Sequence, residues 1–320
     1  LLDKFLDVAI EFDVEAISDG KDILICGILQ HIEQAGVHSG DSACSIPPYN
    51  ISHDALENIK KEVTKVIENM EIIGLVNVQL AYVNEKIYLL EVNPRASRTI
   101  PFVSKALGMP LAAIAARVMA GISLKDQGID SVPELDFYSV KEAVMPFDRF
   151  QNVDPILGPE MRSTGEVMGI GKTFIEAFEK AEIAAGVKIP KSGAAFISVR
   201  DTDKEFLEEI AKDLTSKNFS LVATKGTVRK LNELGYEAKQ INKVIEGRPH
   251  IIDLMKNNEI SLVINTTEGR ESIKDSASIR RTALDQKICC TTTIQGAIAI
   301  CKVITNELDW SVQKLQDIHK

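Results

Sequence analysis

The stretch EVNPRASRTIPFVSKALGMPL, Glu91–Leu111, decides how the chain is read. It opens on the end of a strand-like run and closes that run at Asn93-Pro94-Arg95, because proline cannot donate to a sheet ladder. It then passes into an alanine-rich stretch from Pro101 to Ala120 that reads as helix. Just before it, Leu75–Val83 and Ile87–Asn93 are both strand-like, with Asn84-Glu85-Lys86 as the turn between them. Alternate residues of a strand share a face, so Glu91 and Asn93 point the same way. A three-residue turn sets Gln79 opposite Glu91 and Asn77 opposite Asn93. One carboxylate and several amide oxygens then lie together, a donor set suited to a hard cation such as Mg2+ when phosphate and water supply the rest. Arg95 and Arg98 follow and can neutralise phosphate or carboxylate charge. From spacing alone, a solvated polar face on an edge hairpin competes with this reading. The clustering argues against it, since Gln79, Glu91 and Asn93 interrupt otherwise apolar strands.

Toward the amino terminus, Ile23–Ile32 is short and apolar enough for a strand. AGVHSGDSACSIPP, residues 35–48, is a loop marked by glycine, serine and paired prolines. Ser52 can cap a helix in which Leu56, Ile59, Val63, Val66, Ile67 and Met70 share one face. Toward the carboxyl terminus, residues 133–159 are proline-punctuated and read as connecting structure. Thr173 with Glu176 forms a capping box for a helix that Gly186 ends. Gly169-Ile170-Gly171-Lys172-Thr173 imitates the end of a P-loop. That pattern needs a glycine at position 166, which is Glu166, so Thr173 is read as a helix cap.

Pro190-Lys191-Ser192-Gly193 is the best linker, which divides the chain into domains 1–188 and 189–320. Beyond it, strands at Ala194–Val199, Ser220–Thr224, Ser261–Asn265 and Lys287–Thr292 alternate with helices, as in a parallel doubly wound sheet. Thr202 and Glu205 suggest a capping box for the first of those helices. Thr224-Lys225-Gly226-Thr227 follows a strand and opens a helix, and Asn265-Thr266-Thr267 follows another strand. Both loops belong at the carboxyl ends of the strands, where open α/β sheets bind ligands, and a helix N-terminus favours phosphate. Lys204, Lys243, Arg280 and Arg281 can add positive charge there.

The 320 residues suggest two domains of ordinary globular composition. A net charge of −9 argues against a nucleic-acid binder. The longest apolar candidate, Leu111–Ile122, contains Arg117 and falls short of the roughly 20 residues of a membrane span. Five cysteines without a CxxC pair support neither a zinc knuckle nor a disulfide framework. The opening LLDKFLDVAIEF lacks the features of a signal peptide.

The Glu91–Leu111 stretch closely resembles the metal-binding end of an ATP-grasp ligase domain and, within that superfamily, the carbamoyl-phosphate synthetase large subunit. The resemblance implies that Gln79 and Glu91 bridge Mg2+ or Mn2+ and the ATP phosphates, that Asn93 completes the metal site, and that Arg95 holds the transferred phosphoryl group or the carbamate. Residues 35–48 resemble the family's nucleotide-side segment. Gly36, His38 and Ser39 stand there at ATP-contacting positions, and Glu11 at the ribose or adenine side. The run HIEQAGV, with Glu11, resembles a potassium site. Glu33, Asp41, Glu142 and Thr292 match the family's ornithine site.

Ser192 onward resembles the methylglyoxal-synthase-like allosteric domain of the same subunit. This implies a UMP or IMP pocket lined by Ser198, Lys204, Thr224, Lys225, Thr227, Lys243, Asn265, Thr266 and Thr267. EGRPHIID, which places Arg248 and Pro249 before Asp253, disfavours enzymatic activity in that domain. Cys289-Cys290-Thr291-Thr292 stands where the family's best-known bacterial form has a tyrosine before the Thr-Thr pair.

The fold this implies is α/β: a truncated ATP-grasp domain (α+β, mostly antiparallel sheet), then a doubly wound parallel sheet. The parent activity is phosphorylation of carbamate to carbamoyl phosphate for pyrimidine and arginine synthesis. The expected setting is the cytoplasm, with a glutamine amidotransferase small subunit as partner, a possible homo-oligomer, and neither nucleic acid nor membrane. The amino-terminal lobe of an ATP-grasp fold should carry further basic phosphate ligands. Lys4 is the only early candidate here, so the chain by itself is expected not to turn over. Another ATP-grasp ligase such as a biotin carboxylase, or a fragment that only senses nucleotide, are the competing readings.

Overall fold

The structure, a computed structural model, describes residues 6, 9–149, 153–307 and 312–319. Lys4 lies outside them. Two sheets organise the chain. The first has seven strands: β1 (Ile10–Asp19), β2 (Ile23–Gln34), β3 (Cys44–Ile46), β4 (Ile73–Val83), β5 (Lys86–Asn93), β6 (Tyr138–Val144) and β7 (Gly165–Gly171). Their order is β5-β4-β1-β2-β3-β6-β7, and the neighbours from β5 through to β6 pair antiparallel.

One face of this sheet is covered by α1 (His53–Asn69). Its Ile59, Val63 and Ile67 pack on Phe12, Val14, Val76 and Val78. Ser52 caps α1 by accepting the Ala55 N–H, as its sequence position suggests. Met70 falls just past the helix and is exposed rather than on the buried face. The other face is covered in part by α2 (Ile100–Leu107) and α3 (Leu111–Met119), which pack on Ile17, Leu24 and Leu29. The expected single helix over 101–120 is therefore two, bent by 113°. Gly108 takes the left-handed conformation at φ 67° and closes α2, and Pro110 precedes α3. No single helix among the described residues is long and apolar enough to cross a membrane.

The second sheet is parallel throughout: β8 (Ala194–Ser198), β9 (Ser220–Ala223), β10 (Ala238–Gln240), β11 (Leu262–Asn265) and β12 (Cys289–Thr291), in order β10-β9-β8-β11-β12. Its helices, preceded by α4 (Phe174–Ala184), are α5 (Leu207–Ser216), α6 (Lys225–Glu233), α7 (Ile251–Lys256), α8 (Arg270–Asp285) and α9 (Ile294–Thr305). A short α10 (Leu315–Ile318) follows. Phe196, Val222 and Val263 pack against Ile251 and Met255 of α7 and Ile279 and Ala283 of α8. Alternate strand residues must face the other way, and Ala195, Ile197, Leu221 and Ile264 are buried there. The α/β class, antiparallel and then parallel, is as the sequence implies.

Two expectations differ in detail. Residues 133–159 contain β6, a strand of the first sheet, and are not connecting structure alone. Thr202 and Glu205 lie in a 3-10 turn, Asp201–Phe206, so they do not cap α5, whose N-cap is Phe206. Gly169-Ile170-Gly171 ends β7 as extended backbone, Thr173 Oγ1 accepts the Glu176 N–H at 3.2 Å as the cap reading requires, and Lys172 pairs with Asp136 at 2.9 Å. Gly193 has φ 126°, and an added Cβ would stand 2.1 Å from Ser261 Oγ, so the last residue of the expected linker is tightly seated. By compactness the chain divides into two units, residues 1–142 with 168–177 and 309–320, and residues 143–167 with 178–308.

Candidate functional site

The β4–β5 hairpin sets the first site. Gln79 pairs with Glu91 and Asn77 with Asn93, the expected register, but it arises differently. The turn is the two-residue Asn84-Glu85, both at positive φ (49° and 61°), as right-handed hairpins favour. Leu80 pairs with Leu89 and Gln79 with Glu91, so Leu90 is the extra residue of a bulge. The bulge restores the register that a longer turn would have given. Asn93 Nδ2 donates to Glu91 Oε1, and Arg95 donates to Asn93 Oδ1 at 3.3 Å. Gln79 Nε2 donates to Ser39 Oγ at 3.1 Å, which joins the His38-Ser39 loop to the hairpin. His38 Nδ1 in turn accepts the Gly40 N–H at 3.0 Å. Two bonded groups, Gln79 with Ser39 and Glu91 with Asn93 and Arg95, therefore stand side by side through the Gln79–Glu91 register pair.

Beside it lies a buried polar row that the sequence reading did not single out, apart from Glu11. Strand β1 reads Glu11-Phe12-Asp13-Val14-Glu15-Ala16, so its even residues enter the α1 core and its odd ones face the site. Asp13 Oδ2 meets His31 Nε2 at 2.9 Å, and Asp13 Oδ1 accepts from Asn77 at 3.2 Å. Burial works to raise the Asp13 pKa, but the His31 bond and charge outweigh it and hold the carboxyl below its usual value. Burial likewise works to lower the His31 pKa, and the Asp13 bond reverses this. Both shifts run in the direction of an ion pair. Burial raises the Glu11 pKa, His31 and the Gly36 N–H offset part of that, and Asp13 and Glu91 add to it. Lys141, 1% exposed, donates to the Ser39 carbonyl at 3.2 Å. Lys141 lies on β6, inside the proline-punctuated residues 133–159 that read as connecting structure from sequence.

Glu15 is fully buried, and burial pushes its pKa up to about 7 against several hydrogen bonds. The unfolded value is 4.5, so the folded chain holds this proton more tightly. The group therefore costs nothing below pH 4.5, and its cost grows as pH rises to about 7. Glu15→Gln is expected to remove about 3 kcal/mol of pH-dependent destabilisation between pH 5 and 8. Urea unfolding at both pH values measures it, and equal slopes in the two proteins would contradict it.

Among the described residues, no group of three or more His, Cys, Asp and Glu side chains is placed to hold a metal. The expected set has one carboxylate, from Glu91, and two amides, Gln79 and Asn93. Such oxygen donors fit Mg2+, which keeps waters and phosphate oxygens around few protein ligands. Of the expected ornithine residues, Glu33 accepts the Ala43 N–H at 2.7 Å and Asp41 is buried. Glu33, Asp41 and Glu142 belong to the first unit and Thr292 to the second.

In the second sheet the strand order reverses between β8 and β11, the switch point at which such folds bind ligands. Ser198 ends β8, with its hydroxyl 3.4 Å from Thr224 Oγ1. Thr266 Oγ1 accepts the Arg200 N–H at 3.1 Å, and the Thr266 N–H bonds the Ser198 carbonyl at 3.1 Å. Thr224, Thr227, Asn265 and Thr266 are buried, while Lys225 is exposed on the first turn of α6. Lys204 Nζ would lie 3.5 Å from a Cβ at Gly226 and pairs with Asp201 at 2.6 Å. Lys243 follows β10 at the same sheet edge. The two loops converge as expected. The two arginines do not serve as free phosphate charges. Arg280 is buried against Asp154 and Asn265, and Arg281 pairs with Asp285 at 3.1 Å. Asp253 is held by Arg248, which keeps its carboxyl down at about 2.

Comparison with known proteins matches residues 1–127 to the family model "Carbamoyl-phosphate synthase L chain, ATP binding domain" and residues 206–292 to "MGS-like domain". The curated carbamoyl phosphate synthase large chains of Pseudomonas putida and Pseudomonas syringae pv. tomato are each 56% identical over 319 residues, covering 100% of this chain and 30% of theirs. That of Pseudomonas aeruginosa is 54% identical with the same coverage. The chain belongs to the carbamoyl phosphate synthase large-chain family. It spans 30% of the length of these relatives. Among solved structures, a biotin carboxylase domain of a single-chain bacterial carboxylase is similar at 14% identity and TM-score 0.40, over 44% of this chain and 33% of that one. The urea amidolyase of K. lactis is similar at 14% and 0.45, over 56% and 12%.

Proposed function

We infer that this segment binds Mg2+–ATP at the Gln79, Glu91 and Asn93 corner and serves the phosphorylation of carbamate to carbamoyl phosphate. Its second domain, taken from residue 189, binds a regulatory nucleotide. The observation that carries the reading is the bond from Gln79 to Ser39, which ties the His38-Ser39 loop to the oxygen donors. When bound, Mg2+ neutralises charge across the β- and γ-phosphates. Glu91, Gln79 and Asn93 hold it, with Mn2+ as a substitute. Gly36, His38, Ser39 and Glu11 line the nucleotide. Arg95 orients the phosphoryl group and carbamate by charge-assisted bonds.

Glu11 with residues 31–37 would hold K+. Glu33, Asp41 and Glu142 would answer ornithine. UMP or IMP occupies the pocket of Ser198, Lys204, Thr224, Lys225, Thr227, Lys243 and Asn265 through Thr267. The longer protein works in the cytoplasm with a glutamine amidotransferase small subunit.

Calorimetry with Mg2+–ATP, UMP and IMP tests both pockets. Lys225→Ala is expected to weaken UMP or IMP about tenfold, the value of one charge-assisted hydrogen bond, and to leave ATP unaffected. No heat with either effector at millimolar concentration would overturn the regulatory reading.

A further inference from the structure

Glu15 is the one carboxyl of the buried row that faces no cation and has no assigned part. Its Oε1 gathers the Asn77 amide at 2.8 Å, the Ser97 hydroxyl at 2.5 Å and the Thr99 hydroxyl. Ser97 Oγ and Thr99 Oγ1 also lie 2.8 Å from each other. Three oxygens are thus in mutual hydrogen-bond contact, and three such bonds need three protons. The two hydroxyls supply one each. With an ionised Glu15, one side of the triangle would bring two lone pairs face to face. A proton on Glu15 Oε1 closes all three sides. Oε2 has no partner among the described residues. A neutral carboxyl's carbonyl oxygen tolerates that better than half a buried negative charge.

Thr99 adds a separate observation. It is the N-cap of α2, yet its side chain makes no cap bond and turns to Glu15 instead. Ser97 and Thr99 flank Arg98, and Arg95 is two residues further back, folded onto Asn93 and the Ala96 carbonyl.

We propose that Glu15 is a protonated carboxylic acid whose proton closes the triangle with Ser97 and Thr99 and so positions the Arg95–Arg98 loop at the phosphoryl end of the site. This deepens the function inferred above and rests on it only for the part played by Arg95. The groups facing Glu15 are Asp13 on its own strand, Asn77 on β4, the Cys26 thiol on β2, and Ser97 and Thr99. Lys141 and His31 act on Asp13. Burial and the negative Asp13 favour the neutral acid, against the Ser97, Thr99 and Asn77 bonds, each of which taken singly favours the ionised form. Loss of the proton near neutral pH leaves one side of the triangle unmade and releases the loop. Glu15 is therefore a positioning residue. Glutamine, neutral at every pH, can close the triangle by donating from Nε2 to both hydroxyls while Ser97 and Thr99 keep their own bond, in exchange for the Asn77 contact.

The test has two readouts that need no activity. Infrared difference spectra of wild type against Glu15→Gln should show a protonated-carboxyl band at pH 6 that is lost by pH 8.5. Amide hydrogen exchange over residues 94–100, normalised for intrinsic rate, should rise about tenfold across the same range in wild type and stay flat in Glu15→Gln. In the full-length large chain, Mg2+–ADP affinity should follow the same two profiles. Absence of the band at pH 6, or an exchange slope in Glu15→Gln equal to that of wild type, would overturn the proposal. If the band and the exchange behave as expected but nucleotide binds neither protein, it is the proposed function that fails.

Discussion

Glu91→Gln should lower phosphoryl transfer by the full-length large chain by about 10^2- to 10^3-fold, the scale on which single electrostatic contacts to a developing charge act. Glu91 supplies the one carboxylate among Gln79, Glu91 and Asn93, so the variant replaces the only formal negative charge that set offers a cation. Glutamine keeps the size and can still accept from Asn93. The side chain is exposed on an edge strand, so unfolding is not the expected cause of any loss. Two measurements separate the cases. The kcat at saturating Mg2+ should fall, and the Mg2+ concentration for half-maximal nucleotide binding should rise, with the urea midpoint unchanged. A variant within threefold of wild type in kcat would remove Glu91 from the metal site.

That residue was legible because it sits in a short hairpin whose alternation survives one error. The expected turn was one residue too long and the bulge at Leu90 was unforeseen, and the two cancel for every pair beyond Gln79. No such cancellation helped at Gly108, where a left-handed cap splits one apolar run into two helices that hydrophobic content alone cannot separate. The polar row on β1 carried a signal in plain view, acidic residues at every second position between Phe12, Val14 and Ala16. Alternation of that kind reads as a strand with one solvated face, and only the burial of both faces marks the acidic one as special. Lys141 was hidden by proline spacing, since β6 lies between Pro133 and Pro146. Helix α8 escaped because its inward face carries an arginine. A buried Arg280 reads as surface in any periodicity count, and only its partners show where it lies.

Those partners make the second large effect. Among the described residues Arg280 is the largest fully buried side chain, and its guanidinium bonds Asp154 through two nitrogens, the Ile273 carbonyl at 2.7 Å and Asn265 Oδ1 at 3.4 Å. Asp154 is the sole carboxylate among these contacts. Asp154→Ala would leave a cation at zero side-chain exposure with neutral acceptors only. Breaking a buried pair from one side typically costs about 3–5 kcal/mol, because the remaining charge is uncompensated. We expect that loss in the unfolding free energy of the second unit, read by urea denaturation followed with a probe in residues 178–307. The same variant should weaken UMP or IMP binding, because Asn265 shares the guanidinium. The double variant Asp154→Leu/Arg280→Met should recover most of the stability, since removing both charges removes the desolvation penalty together with the attraction. If Asp154→Ala costs less than about 1 kcal/mol, water reaches Arg280 and the pair is a surface bridge in energetic terms. If the double variant is as unstable as the single one, the loss comes from packing around the arginine stem rather than from its charge.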